Sequence, residues 1–116
     1  MAEKSRPPIY SVYGTDPDMA ELVDLFVAGV AETADAVRAA VAQEDWDAVR
    51  RGAHKVKGSA AGYGFEELGE EAGRLESLIG RDGSLEVGPD EIREAVDRFE
   101  SVCRRIRPGA GPANAA

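Results

Sequence analysis

The only histidine of the chain, His54, lies among four basic residues, Arg50, Arg51, Lys55 and Lys57. A neutral imidazole nitrogen can attack phosphorus, and a nearby cation can neutralise the phosphoryl oxygens as charge develops on them. Lys57 follows His54 by three residues, about one helical turn, and could reach a group bonded to the ring. The pattern suits phosphoryl chemistry, but a lone surface histidine is usually only a surface histidine, and a basic cluster on a helix is usually a solvated face.

The direction in which His54 points follows from the apolar positions of its own segment. These positions, three or four residues apart, are Trp46, Val49, Ala53, Val56, Ala60 and Tyr63. Each residue turns a helix by about 100°, so His54 falls roughly 130° from the centre of this stripe and should face solvent. Gly58 and Ala61 share its face and would leave room for another protein's active site. Gly58 could instead let a neighbouring helix approach, which is the role predicted for Gly52 and Gly73.

The helix before this segment is predicted from apolar residues at three-and-four spacing between Met19 and Val41. Asp16 is a candidate N-cap, and Pro17 suits the first helical position. One long helix is the simplest interpretation, although a break near Gly29 is an alternative because glycine is unfavourable inside a helix.

The other three helical patterns are bounded by capping and turn residues. The bounds are Asp45 before the second pattern, Gly62 and Gly64 after it, Phe65 and Gly80 around the third, and Pro89 and Arg107–Pro108 around the fourth. The repeated spacing is typical of helices that pack at about 20°. No segment alternates apolar and polar residues as a half-buried strand would. We therefore predict an all-α fold, an antiparallel four-helix bundle with His54 on the second long helix.

The chain of 116 residues has the size of one domain. We predict a bundle over residues 15–107, preceded by an N-terminal arm over 1–14 and followed by a disordered Pro/Gly/Ala tail over 108–116. The arm could pack onto the domain in an extended conformation through Ile9, Tyr10, Val12 and Tyr13.

The overall charge restricts the class of partner. A formal net charge of -8 argues against general nucleic-acid binding and against an anionic membrane surface. No apolar run approaches the roughly 20 residues of a membrane span, and the N-terminus lacks the apolar stretch of a secretory signal. The single cysteine, Cys103, cannot form an internal disulfide. We expect a soluble, cytoplasmic monomer.

The run from Ala53 to Gly64, AHKVKGSAAGYG, resembles the signature of histidine phosphotransfer (HPt) domains. That signature reads roughly Ala-His-x-aliphatic-Lys-Gly-Ser-Ala-x-x-x-Gly. Further similarity lies in Asp45-Trp46 before the motif and in Phe65, Leu68 and Leu75-Glu76 after it. The resemblance spans about residues 16–106. Tyr63-Gly64 departs from the family's more usual Leu-Gly, which does not affect the histidine.

The resemblance implies a role for individual residues. His54 would be the phospho-accepting nucleophile, through Nε2, and Lys57 would hold the phosphoryl oxygens. Gly58 would provide clearance for the partner, and Gly64 would make the turn between the second and third helices. Arg50, Arg51, Ser59 and Ala61 would belong to the partner-binding surface.

The resemblance also implies the partners and the cofactors. The partners would be receiver domains of response regulators, of which the receiver of a hybrid histidine kinase is one candidate. These receivers would carry the phospho-aspartate and the magnesium ion, so the chain itself would need no cofactor and no metal. It would be a phosphotransfer intermediate without kinase or ATPase activity of its own. Apolar docking contacts could come from Met19, Leu22 and Phe26, although a place in the core is favoured for each.

Three other interpretations compete with this one. A histidine kinase dimerisation domain usually has an acidic residue after its histidine and a proline one turn later, whereas Lys55 follows here and no proline occurs before Pro89. A helical adaptor that binds without carrying phosphate stays open, although the combination of His54, Lys57 and Gly58 argues against it. A metal site is disfavoured because one histidine and one distant cysteine leave only carboxylates to complete the ligand set.

Overall fold

The computed structural model describes residues 6–109, which are mostly helical. The helices are α1 (Ala20–Ala42), α2 (Trp46–Ala60), α3 (Glu66–Ser77) and α4 (Pro89–Arg105), and a short 3-10 helix (Ala61–Tyr63) continues α2. Two short strands, β1 (Ile9–Tyr10) and β2 (Ile106–Arg107), flank the four helices. Within this part of the chain, none of the helices has the length and hydropathy that a membrane span requires.

Several predicted helix ends are confirmed by their backbone geometry. The side chain of Asp45 caps α2 by accepting a hydrogen bond from the Ala48 N–H at 3.2 Å. Pro89 is the first residue of α4. Gly64 ends the 3-10 helix with φ of +86°, a left-handed conformation that favours glycine, and so makes the turn into α3.

The predicted start of the first helix is wrong. The helix begins at Ala20, and Met19 occupies the N-cap position without a side-chain cap. Asp16 instead accepts a hydrogen bond from the Asp18 N–H at 2.9 Å, which closes a local turn around Pro17. The competing turn chemistry of the aspartate therefore prevailed over its capping chemistry. The alternative of a break at Gly29 is not realised, since α1 is continuous through it.

The core lies between the four helices and is apolar. Its largest fully buried side chains include Phe65, Phe99, Leu68, Leu75 and Ile92. The predicted role of Gly52 is confirmed, because a Cβ atom there would lie 2.8 Å from Cγ2 of Val37 on α1. This glycine therefore lets α1 and α2 approach closely.

Cross-helix contacts establish which positions are side by side. Pairs in contact are Arg38 with Glu100 and Asp35 with Arg104 between α1 and α4, and Ala60 with Gly69, Lys57 with Gly73 and His54 with Glu76 between α2 and α3. In both helix pairs the residue numbers rise along one helix as they fall along the other.

The N-terminal segment is attached to the helices by a pairing that the sequence did not predict. Strands β1 and β2 pair in parallel, with Ile9 opposite Ile106. The Val12 N–H donates to the Gly64 carbonyl at 3.1 Å, and the Ser11 hydroxyl donates to the Tyr63 carbonyl at 2.6 Å. Two-residue strands are too short to show an alternating pattern. Residues 1–5 of the predicted arm and 110–116 of the predicted tail lie outside the described residues.

Candidate functional site

His54 lies on α2 with 68% of its side chain exposed to solvent. The buried residues of this helix are Val49, Ala53, Val56 and Ala60, all from the predicted apolar stripe. The same amphipathic pattern that buries one face of α2 therefore presents the imidazole on the outside.

One carboxylate on α3 contacts both His54 and Lys57. The Nδ1 atom of His54 lies 2.5 Å from Oε2 of Glu76, and the Nζ atom of Lys57 lies 3.3 Å from Oε1 of the same side chain. Glu76 is only 18% exposed, whereas the two side chains that it contacts are open to solvent. The two groups expected to handle a phosphoryl group are thus fixed by a shared, less accessible anion.

The charge state of Glu76 determines which nitrogen of His54 carries the proton. Desolvation raises the pKa of Glu76, but the hydrogen bonds from His54 and Lys57 outweigh it and leave the pKa below its ordinary value. An ionised carboxylate can only accept hydrogen bonds, so Nδ1 is the donor in this contact. A neutral His54 ring then has its lone pair on Nε2, the nitrogen away from Glu76.

The other side of His54 is bare. A Cβ atom built on Gly58, one turn after His54, would have nothing within 4 Å, and the same holds for Gly62 and for Gly29 on α1. At about 100° per residue, Gly58 falls on the α2 surface between His54 and Lys55. A groove between α1 and α2, lined in part by Gly29 and Lys55, lies beside this strip. At these three glycines the surface between His54 and α1 therefore carries no side chain and lies open to solvent.

The four residues predicted for partner binding have different environments. Arg50 and Arg51 both pair with Asp47, at 3.2 Å each, but Arg50 is largely covered while Arg51 is exposed. Ser59 is half-buried and donates a hydrogen bond to the Lys55 carbonyl at 3.1 Å. Ala61 is exposed at the start of the 3-10 helix. The structure places Arg51 and Ala61 on the open surface and Arg50 mostly beneath it.

An apolar surface patch lies at the start of α1. Leu22 is 46% exposed and Leu25 69% exposed. The core position favoured for Leu22 is therefore wrong, whereas Met19 and Phe26 are partly buried and pack against the core. The ring of Phe26 stacks on Tyr63 with a centroid distance of 4.7 Å. Leu25 was not a candidate, although its spacing of three residues from Leu22 is visible in the sequence.

Glu76 is the other residue that sequence reasoning did not assign to the site. It lies 22 residues after His54, and its one signal in the sequence is the Leu75-Glu76 similarity to the family. Helical spacing within one segment cannot give the register between two helices. The contact therefore becomes visible only once α2 and α3 are packed together.

Metal-ligating groups are not gathered anywhere in residues 6–109. No three His, Cys, Asp or Glu side chains in this range are arranged to hold an ion. Burial raises the pKa of Cys103 to about 12, so its thiol stays protonated at neutral pH.

Comparison with known families identifies the class of protein. The family model of the Hpt domain matches residues 21–108, most of the chain. The chain belongs to the Hpt domain family, and membership implies histidine phosphotransfer in phosphorelays. Hpt domains are phosphotransfer modules, not kinases or ATPases, and interact with receiver domains of response regulators. No curated protein and no solved structure matches the chain.

Proposed function

We propose that the chain accepts a phosphoryl group on His54 from the aspartate of one receiver domain and passes it to the aspartate of another. The observation that carries this proposal is the side chain of His54, which is 68% exposed and hydrogen-bonded through Nδ1 to Glu76. A nucleophile needs an accessible lone pair in a fixed direction, and this contact provides one. Lys57 supplies a cation on the same surface.

The fold that this function requires is an antiparallel four-helix bundle. The cross-helix pairs support it: Arg38 contacts Glu100 and Asp35 contacts Arg104, so α1 and α4 run in opposite directions. The contacts between α2 and α3 likewise support opposite directions for these two helices. This arrangement brings Glu76 on α3 to the level of His54 on α2.

In the transfer step, the Nε2 lone pair of His54 attacks the phosphorus atom of the receiver's aspartyl phosphate. A nitrogen–phosphorus bond forms while the bond from phosphorus to the aspartyl oxygen breaks, and the aspartate leaves with that electron pair as a carboxylate. The imidazole keeps its Nδ1 proton and takes a positive charge, which the neighbouring Glu76 carboxylate stabilises. The reverse step returns the phosphoryl group to a second receiver's aspartate.

Lys57 has two partners in this scheme at different times. Before transfer its ammonium group is held 3.3 Å from Glu76. After transfer the phosphoryl oxygens bring negative charge to the neighbouring ring, and the exposed ammonium can turn towards them. Lys57 therefore acts on the charge that develops during transfer, and it is a catalytic residue by this proposal.

The bare side of His54 is proposed as the receiver-binding surface. Gly58 and Ala61 provide clearance, while Arg51 and the half-buried Ser59 lie at the edges of the contact. Arg50 contributes only through its small accessible part. Leu22 and Leu25 extend the surface with apolar contacts. Acidic groups around a receiver's aspartate would suit the cations, which mainly aids the rate of encounter.

The receiver is proposed to bring the magnesium ion, and the chain itself to need no cofactor. Receivers of hybrid histidine kinases are included among the candidate donors. Monomeric state and cytoplasmic location remain predictions of the sequence.

The proposal is tested by mixing the protein with receiver domains that have been charged with acetyl phosphate, and following phosphate on each chain. We expect wild type to gain a label that is labile in acid and stable in base, as a phosphoramidate is, and His54→Gln to gain none. The exposed position of His54 makes this variant a safe probe, since the core is untouched. Receivers that bind wild type without ever labelling it would support the adaptor interpretation instead.

A further inference from the structure

The path of the Lys57 side chain over α3 has a feature that the proposed function does not explain. Its Cγ, Cδ and Cε atoms lie 3.8, 3.5 and 3.6 Å from the place that a Cβ atom of Gly73 would occupy. These methylene groups therefore run along the face of α3, although 54% of the side chain stays exposed to solvent. The Lys57 side chain ends beside Glu76, one turn further along α3, where its Nζ atom lies 3.3 Å from Oε1 of Glu76.

Packing of the helices themselves does not require a glycine at position 73. A Cβ atom on Gly69 would meet Cβ of Ala60 at 3.5 Å and the backbone nitrogen of Ala61 at 4.0 Å, so that glycine lies where the two helices approach. The three heavy atoms nearest to a Cβ atom on Gly73 would all belong to the flexible side chain of Lys57. The space beside residue 73 is therefore occupied by the side chain of Lys57.

We propose that Gly73 is a positioning residue for phosphotransfer. Because Gly73 has no side chain, Lys57 can cross α3 over its backbone and reach Glu76 and the phosphoryl group. This inference rests on the proposed function and deepens it. An alanine would fit, because the three distances are those of ordinary van der Waals contacts. A longer side chain would occupy the path of the lysine and direct its ammonium group away from His54.

The first test needs no partner and measures the pKa of Glu76 by carboxyl carbon NMR. Lys57→Met removes one of the hydrogen bonds that lower this pKa and should raise it. Gly73→Leu, and Gly73→Gln as a polar second variant, should raise it in the same way, because they displace the lysine. Gly73→Ala and the control Glu70→Leu, at an exposed position of α3, should leave it where it is. An unchanged pKa in Gly73→Leu and Gly73→Gln would overturn the inference.

The second test measures the first-order rate of phosphoryl transfer within the complex with a phosphorylated receiver. We expect Lys57→Met and Gly73→Leu each to lower this rate on the order of 10–100-fold while leaving receiver affinity unchanged. Gly73→Ala should transfer at the wild-type rate. In the Lys57→Met background, Gly73→Leu should lower the rate no further. If the two rate effects multiply in the double variant, Gly73 does not act through Lys57, and the inference is overturned. If no receiver phosphorylates the wild-type protein, the proposed function is overturned. The titration of Glu76 would still show whether Gly73 positions Lys57.

Discussion

The two sides of His54 on α2 are built in opposite ways. Towards α3, Glu76 contacts the imidazole of His54 and also holds the ammonium group of Lys57. Towards α1, the surface includes glycines, among them Gly58 and Gly62, at which an added Cβ atom would have nothing within 4 Å. The first side holds His54 by contacts with α3, and the second leaves open space beside it.

This difference separates two requirements of a group-transfer intermediate. The nucleophile must be held in one tautomer and one direction, which needs contacts within the protein. The partner's active site must reach the same atom, which needs the absence of such contacts. Placing the two requirements on opposite sides of His54 allows each to be met without interfering with the other.

The largest expected effect comes from filling the bare side. Gly58→Leu places a side chain beside His54 and should slow transfer from a phosphorylated receiver by at least about a hundredfold. Phosphoramidate, a donor small enough to avoid the obstruction, should still phosphorylate the variant. Gly58→Ala is the matched control and should be more stable than wild type by about 0.5–1 kcal/mol. Wild-type transfer rates from receivers to Gly58→Leu would mean that the partner does not dock on this side.

A smaller effect is expected from the engaged side. Glu76→Gln keeps the shape of the side chain but removes the charge that stabilises the ring during transfer, and should lower the transfer rate on the order of 10–100-fold. The affinity for the receiver should hardly change, because Glu76 is mostly covered. Rapid-quench measurements at saturating receiver separate the two quantities. A loss of affinity with an unchanged rate would assign Glu76 to docking.

The apolar patch tests how far the docking surface extends. Leu25 is exposed at the start of α1, and Leu25→Asp should weaken receiver binding about fivefold without altering the rate within the complex. Thermal unfolding should be unchanged, since the side chain contributes little to the core. Val12→Asp, at a residue exposed in the N-terminal segment, is a control for added charge. Equal binding by wild type and Leu25→Asp would confine the surface to α2.

The smallest effect is on the acid dependence of stability. The pKa of Glu76 is lowered on folding, so its contacts stabilise the protein fully above the unfolded-state pKa and are lost as pH falls through the folded-state value. Wild type should therefore be more stable than Glu76→Gln at neutral pH, and the gap should narrow on acidification. Urea unfolding of both proteins at a series of pH values measures this difference in the free energy of unfolding. A gap that widens at low pH would show that the pKa is raised instead.

Features that depend on one segment were predictable from the sequence. Asp45 caps α2, Gly64 makes the next turn and His54 is exposed, because each follows from local chemistry or from the period of one helix. Asp16 shows the limit of such reasoning, since an aspartate can cap a helix or close a turn and the sequence does not decide between them.

Features that depend on two segments were not predictable in this way. The contact of His54 with Glu76 requires the register of α2 against α3, and the pairing of β1 with β2 joins segments about a hundred residues apart. Gly73 was expected to let a helix approach, whereas its neighbour is a side chain, Lys57. A residue pattern records which faces are buried but not which atoms meet across them.

The most direct test of the account is nitrogen-15 NMR of the imidazole, which is unambiguous because the chain has a single histidine. Before phosphorylation, the neutral ring should show its proton on Nδ1, the nitrogen that contacts Glu76. After transfer from a phosphorylated receiver, coupling to phosphorus-31 should appear at Nε2. Phosphorus on Nδ1, or on no nitrogen of His54, would contradict the account.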